Sequence, residues 1–95
     1  SVVGGEGNQA VANISTVSGG QGNTAEGPYS SISGGNANTT FPGYNNSWIG
    51  GGESNEACGN YSAIAGGHNG DAYGDWAIVV GGSSNSTSSD YEIAP

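Results

Sequence analysis

The chain has 95 residues, of which 20 are Gly and only 33% are hydrophobic, so the sequence argues against a conventional globular core. Eight acidic residues and no Lys or Arg give a formal net charge of −8. This charge argues against direct binding to nucleic acid or to an anionic membrane surface, because both require a basic surface. No apolar run approaches the ~18 residues of a membrane-spanning helix, so none is predicted.

A Gly-Gly pair recurs along the whole chain. The second Gly of each pair lies at Gly5, Gly20, Gly35, Gly52, Gly67 and Gly82. The intervals are 15 residues, except for one of 17 between Gly35 and Gly52. Such a fixed period predicts a single repeat domain over residues 1–95, either complete or part of a longer fibre.

Each repeat contains two short strand patterns. The first precedes the Gly pair, as in STVS (15–18) and SSIS (30–33), where one aliphatic residue alternates with small polar residues. The second follows the Gly pair, as in NTAEG (23–27). Two strands and two turns in about 15 residues form one coil of a stacked repeat. The sequence therefore predicts an all-β fold, a parallel β-solenoid of about six 15-residue coils.

Two further columns keep the register of the Gly pairs. Val or Ile occurs three residues before the second Gly, at Val2, Val17, Ile32, Ile49, Ile64 and Val79. Asn occurs three residues after it in five of the repeats, at Asn8, Asn23, Asn38, Asn55 and Asn85, with Gly70 in the remaining one. We expect the aliphatic column to be buried and the Asn side chains to form hydrogen bonds along the solenoid axis.

An aromatic column follows nine residues after the second Gly. Its members are Tyr29, Tyr44, Tyr61, Trp76 and Tyr91, with Ile14 in the first repeat. These residues predict a ladder with a spacing of about 4.8 Å. The ladder either seals a corner or a seam between chains, or binds sugars or a partner protein.

The two extra residues of the third repeat lie between Phe41 and Trp48. Insertions in solenoids usually form loops on one face, which is often the binding face. We therefore predict contacts with a partner or a glycan at Phe41 and Trp48, and along the ladder at Tyr29, Tyr61 and Trp76.

The small apolar content of each repeat bears on assembly. One Val or Ile, one Ala or Thr and one aromatic residue per coil bury little surface at roughly 25 cal/mol per Å². Sharing an inner face among copies would bury the aliphatic column better. The sequence therefore predicts self-association, as a homo-trimer or a filament, rather than a monomer.

Residues that could carry chemistry are few and have simpler explanations. His68 falls in a variable polar column, and the spacing of Asp71 and Asp75 matches no calcium-binding repeat. Cys58, the only cysteine, is expected to be a small buried apolar residue, with an interchain disulfide as the alternative. We predict no enzymatic activity, no metal site and no cofactor.

Five Asn-x-Ser/Thr sequons could accept N-linked glycans. They start at Asn13, Asn38, Asn45, Asn60 and Asn85. Asn13 with Asn60, and Asn38 with Asn85, fall in the same repeat columns, so the repeat by itself can explain them. Glycosylation therefore depends on the source of the protein.

The segments STVSGGQGNTAEGPYSSISGG (15–35) and SAIAGGHNGDAYGDWAIVVGG (62–82) resemble the head repeats of trimeric autotransporter adhesins of the YadA-like type. Similar repeats occur in phage tail fibres and other bacterial surface proteins. The resemblance extends from Val2 to about Ser89. It implies a left-handed parallel β-roll with three chains side by side, on the cell surface, in the extracellular space or on a phage particle.

These observations together predict an extracellular structural or adhesive fibre module. It would attach to cells or matrix through a host surface protein or a glycan, without nucleic acid and without membrane insertion. Ice-binding and carbohydrate-binding β-solenoids are the alternatives. Ice-binding solenoids present flat Thr-rich faces, whereas the only adjacent Thr pair here is Thr39 and Thr40.

Overall fold

The computed structural model describes residues 1–94, and all regular structure in this range is β. Twelve two-residue strands follow one another: β1 Gln9–Ala10, β2 Thr16–Val17, β3 Thr24–Ala25, β4 Ser31–Ile32, β5 Thr39–Thr40, β6 Trp48–Ile49, β7 Glu56–Ala57, β8 Ala63–Ile64, β9 Asp71–Ala72, β10 Ile78–Val79, β11 Ser86–Thr87 and β12 Ile93–Ala94. Consecutive pairs of strands make coils 1 to 6, so coil 1 holds β1 and β2 and coil 6 holds β11 and β12. None of the described residues forms a helix that could cross a membrane.

The strands form two six-stranded parallel sheets. Sheet A contains the odd-numbered strands and sheet B the even-numbered strands, each in coil order. Every strand pairs with its counterpart in the next coil, so that Gln9 lies beside Thr24 and Thr16 beside Ser31. A row of isolated parallel bridges adds a third side at Glu6, Gln21, Asn36, Glu53, His68 and Ser83. This arrangement confirms the predicted parallel β-solenoid of about six coils.

The core lies between the two sheets and contains one inward residue per strand. Sheet B contributes the fully buried column Val17, Ile32, Ile49, Ile64 and Val79. Sheet A contributes the fully buried column Ala25, Thr40, Ala57, Ala72 and Thr87. A single chain therefore buries this column from Val17 to Val79 without help from another copy, whereas Val2, which was predicted to be buried with them, is 44% exposed. This burial within one chain corrects the expectation that sharing an inner face among copies would bury the column better.

The Gly pairs form the corner between sheet B and the third side. The backbone of Gly20 has φ of +89°. A Cβ atom on Gly20 would lie 2.2 Å from the carbonyl oxygen of Gly35 in the next coil. A positive φ and close backbone approach together require Gly at this corner.

A tight turn forms the opposite edge, between sheet A and sheet B. In coil 2 the backbone N–H of Ser30 donates to the carbonyl oxygen of Gly27, at 3.2 Å. Pro28 is the second residue of the turn, and Tyr29 is the third, with φ of +58°. Pro followed by a residue with positive φ is typical of a type II turn. We call this side of the molecule the turn edge.

Candidate interaction surfaces

Asn side chains inside the solenoid hold its coils in register. The Nδ2 group of Asn38 donates to the carbonyl oxygens of Gly34, at 3.0 Å, and Gly52, at 3.1 Å. It also approaches Oδ1 of Asn23 at 3.1 Å, while Oδ1 of Asn38 accepts the backbone N–H of Asn55 at 3.0 Å. Asn23, Asn38 and Asn55 are fully buried. These bonds confirm the predicted interior Asn ladder and give the outer surfaces a rigid support.

A second ladder of polar side chains runs along the turn edge. The backbone N–H of Asn45 donates to Oδ1 of Asn60 at 2.8 Å, and that of Asn60 donates to Oδ1 of Asp75 at 3.0 Å. The backbone N–H of Asp75 in turn donates to Oδ1 of Asp90 at 2.9 Å. In this edge ladder each side chain acts only as an acceptor, for a backbone N–H group of the preceding coil. Two carboxylates are thereby held in fixed positions beside the aromatic residues.

Three aromatic rings stack on one another along the turn edge. The ring centroids of Tyr61 and Trp76 are 5.2 Å apart and the planes differ by 5°. The centroids of Trp76 and Tyr91 are 5.4 Å apart and the planes differ by 4°. The exposed fractions are 50%, 49% and 71% for Tyr61, Trp76 and Tyr91. This aromatic stack confirms the predicted ladder for coils 4 to 6.

The members of the stack occupy a strained backbone position. Tyr61 has φ of +57° and Trp76 has φ of +54°, in the third position of the turn, where Gly is the usual residue. Such a conformation costs a non-Gly residue roughly 1–2 kcal/mol. Stacking of aromatic pairs is worth about 0.5–1.5 kcal/mol, so it offsets much of this cost.

The predicted place of Tyr44 in the aromatic column is wrong. Asn46, with φ of +59°, occupies the third turn position in coil 3. Its backbone N–H donates to the carbonyl oxygen of Pro28, and the N–H of Tyr61 donates to that of Asn45, so Asn46 is the rung between Tyr29 and Tyr61. The extra residues of coil 3 lie before this position and displace Tyr44 from the column. Tyr29 is therefore separated from the aromatic stack by one coil.

The stacking decides how a ligand could contact the turn edge. Neighbouring rings cover both faces of Trp76, so its exposed surface is mainly the ring edge. Asp75 and Asp90 each directly precede a ring of the stack. A ligand at Trp76 would therefore meet the ring edge beside carboxylates, instead of lying flat on an exposed aromatic face.

Phe41 and Trp48, predicted to share an irregular loop, lie in different places. Phe41 is half-buried directly after β5, where the extra residues begin. Trp48 belongs to the regular strand β6 and points outward from sheet B, with 41% of its surface exposed. Its Nε1 donates to Oγ of Ser33 at 3.2 Å, and its ring lies over Gly50, where a Cβ atom would be 2.7 Å from Cη2.

Trp48 is part of an exposed apolar area that the sequence analysis missed. Apart from Gly50, the described outward residues of sheet B in coils 3 to 6 and those directly following its strands are Trp48, Ala63, Ala65, Ile78, Val80 and Ile93. We call these six residues the apolar face. The alternation around the buried aliphatic column could have revealed it, since each inward Ile or Val has an outward neighbour on either side.

The remaining candidate residues are not brought together into a site. Cys58 is a buried free thiol, and burial, followed by the carboxylates of Glu56 and Asp71, raises its pKa to about 11. This thiol is protonated at neutral pH, which disfavours the interchain disulfide considered as an alternative. Nε2 of His68 lies 3.4 Å from Oε1 of Glu53 on the exposed third side. No group of three or more potential metal ligands occurs within residues 1–94.

The five sequons differ in accessibility. Asn13 and Asn45 are exposed, and Asn60 and Asn85 are half-buried. Asn38 is fully buried and its Nδ2 group is hydrogen-bonded to two carbonyl oxygens, so the folded chain has no room for a glycan there. Glycosylation of the folded chain is therefore sterically open at the turn edge and closed at Asn38.

No known protein family, curated protein or solved structure matches this chain.

Proposed function

We propose that the chain is an extracellular structural or adhesive module that presents a rigid, repetitive acidic surface for attachment to cells or matrix. The supporting observation is the register of the two sheets, in which each outward side chain lies beside its counterpart from the next coil. Adjacent parallel strands are about 4.8 Å apart, so weak contacts can be repeated at a constant spacing. Multivalency converts such weak contacts into firm attachment.

The YadA-like resemblance supports the same proposal. Among proteins with such repeats, adhesion to a host surface or matrix is the expected role, and the chain would be exported to the cell surface or carried on a phage particle. The partner would be a surface protein or a glycan. Self-association, whatever the number of copies, would increase the number of contacts per particle.

A carbohydrate-binding role is the second candidate, because the turn edge combines half-exposed aromatic rings with fixed carboxylates. Tyr61, Trp76 and Tyr91 offer ring edges, and Asp75 and Asp90 offer hydrogen-bond acceptors at the same spacing. Sugar hydroxyl groups could donate to these carboxylates. An ice-binding role has less support, since the outward column of sheet A varies in chemistry and contains only two Thr, Thr24 and Thr39.

A bead assay tests the proposed function. Beads coated with the chain at graded densities are applied to surfaces carrying matrix proteins, cell-surface proteins or a panel of glycans. We expect retention to rise more steeply than in proportion to coating density on at least one surface. Retention equal to that of beads coated with a scrambled chain of the same composition would refute the adhesive role.

Two variants locate the contact in the same assay. Trp76→Ala should reduce retention on a glycan surface if the turn edge binds sugar, because it removes the middle ring of the stack. Thr24→Ala, on the outer side of sheet A, is the matched control. Thermal hysteresis of the unmodified chain, measured in parallel, tests the ice-binding alternative.

A further inference from the structure

The outer side of sheet B changes chemistry along the solenoid axis. In coils 1 and 2 its outward residues carry hydroxyl groups, at Thr16, Ser18, Ser31 and Ser33. In coils 3 to 6 it becomes the apolar face. The exposed fractions of Val80 and Ile93 on this face are 55% and 66%. Large apolar side chains exposed side by side usually mark an interaction surface.

The apolar face has relief as well as apolar character. Ala63 and Ala65 lie in coil 4 between larger residues on either side. Ala63 pairs with Trp48 of coil 3 on one side and with Ile78 of coil 5 on the other. Val80 holds the position in coil 5 that Ala65 holds in coil 4. The apolar face therefore contains a shallow groove at coil 4, one coil wide, and an aliphatic ridge beside it at coil 5.

The charge distribution argues for a second copy of the chain as the occupant. None of the six residues of the apolar face is charged, whereas the chain as a whole carries a net charge of −8 and no Lys or Arg. A cationic partner would be drawn to the carboxylates on the other sides of the molecule. Two copies, which repel each other elsewhere, meet with least repulsion at the uncharged face.

We propose that two copies pair through their apolar faces with the solenoid axes antiparallel. Turning one copy about an axis parallel to the strands reverses the coil order, so that coil 5 of each copy lies opposite coil 4 of the other. Ile78 then sits over Ala63, and Val80 sits over Ala65. The same rotation brings Trp48 in coil 3 against Ile93 in coil 6. Coils 1 and 2, with their hydroxyl groups, extend beyond the contact and stay hydrated.

A pairing with the axes in the same direction fits the relief poorly. It places like coils opposite each other, so that the ridge at Ile78 meets a second ridge. The Ala63 and Ala65 grooves would face each other and leave a void. Voids and steric crowding both oppose association, because interfaces of stable complexes are packed as densely as protein interiors. The same objection applies to a three-fold arrangement around a parallel axis.

This pairing deepens the proposed adhesive function, since it doubles the number of outward surfaces, but it does not depend on that function. It covers the outer side of sheet B in coils 3 to 6 and leaves sheet A and the turn edge of both copies free. A variant that cannot pair should still be retained in the bead assay, because the beads supply their own multivalency. Failure of pairing and failure of adhesion are therefore distinguishable.

Sedimentation equilibrium of the 95-residue chain tests the pairing. We expect a particle of twice the 9.2 kDa chain mass, with tighter association at higher ionic strength because salt screens the repulsion between the copies. Ile78→Asp should weaken the association at least about 30-fold, the effect expected of a residue at the centre of an interface. Thr16→Asp adds the same charge to coil 1, outside the contact, and should leave the association close to that of the unmodified chain. A monomer, a trimer or equal effects of the two variants would overturn the proposal.

Spin labels test the direction of pairing. A label on Ser18→Cys, in a chain where Cys58→Ala removes the native thiol, marks coil 1 on the outer side of sheet B. In the antiparallel pair the two labelled coils are seven coil spacings apart, which corresponds to a backbone separation of about 34 Å along the axis. Pairing in the same direction puts like coils opposite each other, about 10 Å apart. A short distance measured by pulsed electron paramagnetic resonance would therefore overturn the antiparallel arrangement.

Discussion

The interior Asn ladder and the edge ladder use similar side chains under different demands. Inside the solenoid, Asn38 both donates through Nδ2 to two carbonyl oxygens and accepts through Oδ1. At the turn edge, Asn60 and Asp75 each accept one backbone N–H and need no donor. A carboxylate can replace an amide where only an acceptor is required and water is near. This explains why Asp occurs in the edge ladder and never in the interior one.

The largest expected effect is that of an Asp in the interior ladder. Asn38→Asp removes the Nδ2 donor and places a buried carboxylate beside the carbonyl oxygens of Gly34 and Gly52. We expect the free energy of unfolding to fall by about 3–5 kcal/mol, since unsatisfied buried groups and unpaired buried charges are both costly. Urea denaturation followed by Trp fluorescence measures it.

The pH dependence of this variant provides a further check. Burial raises the pKa of an unpaired carboxyl group, so the folded variant binds a proton more tightly than the unfolded chain. The loss of stability should therefore shrink as the pH is lowered towards the carboxyl range and grow as the pH rises. A loss that is independent of pH would mean that the buried charge contributes nothing.

A smaller effect, of opposite sign, is expected where the interior ladder lacks a side chain. Gly70→Asn would supply the missing amide, since the backbone N–H of Gly70 already donates to Oδ1 of Asn55 at 2.7 Å. The added Cβ atom would lie 3.0 Å from Oδ1 of Asn55 and 3.2 Å from Cγ1 of Val79. Asn55 occupies the same place beside the larger Ile64, so this contact should be accommodated. We expect a gain of about 1 kcal/mol in the free energy of unfolding, from added hydrogen bonds and from a less flexible unfolded chain.

Gly70→Ala is the matched control for this gain. It adds the Cβ atom and reduces the flexibility of the unfolded chain without adding an amide. Chemical denaturation of both variants under the same conditions separates the ladder from the backbone effect. An Ala variant as stable as the Asn variant would show that the added amide contributes nothing to the interior ladder.

The smallest effect is expected at the turn edge. Asn60→Asp keeps the Oδ1 acceptor for the backbone N–H of Asn45 and adds a charge next to Asp75. We expect a loss of about 0.5 kcal/mol at low salt, which is the scale of interactions between exposed charges. Added salt should remove most of it. A loss as large as that of Asn38→Asp, measured by the same denaturation, would show that the two ladders do not differ as described.

The period of the sequence was enough to predict the solenoid, the buried aliphatic column and the interior Asn ladder. These features are repeated because each coil packs on a copy of itself, so the same residue type is required at every rung. Outward residues face water and carry no such requirement. The apolar face was missed for this reason, since its members range from Ala63 to Trp48.

The error at Tyr44 has a different cause. The aromatic column was counted from the Gly pair that precedes each turn, and the two extra residues of coil 3 lie within that count. Counting back from the following Gly pair gives Asn46, six residues before Gly52, just as Tyr61 lies six before Gly67. The register after an insertion is fixed by the next strand, because β6 must pair with β4 and β8.

The longer coil 3 also shows where the solenoid tolerates an insertion. Both sheets keep their pairing across coil 3, with Thr24 beside Thr39 and Ser31 beside Trp48. This holds although the segment between β5 and β6 is two residues longer than the corresponding segment of the other coils. Length variation is absorbed in the loop around Pro42 and Gly43, which lies outside the ladders. A foreign peptide grafted into this loop would be displayed at a defined height on the solenoid, and the other coils would serve as an unaltered frame for it.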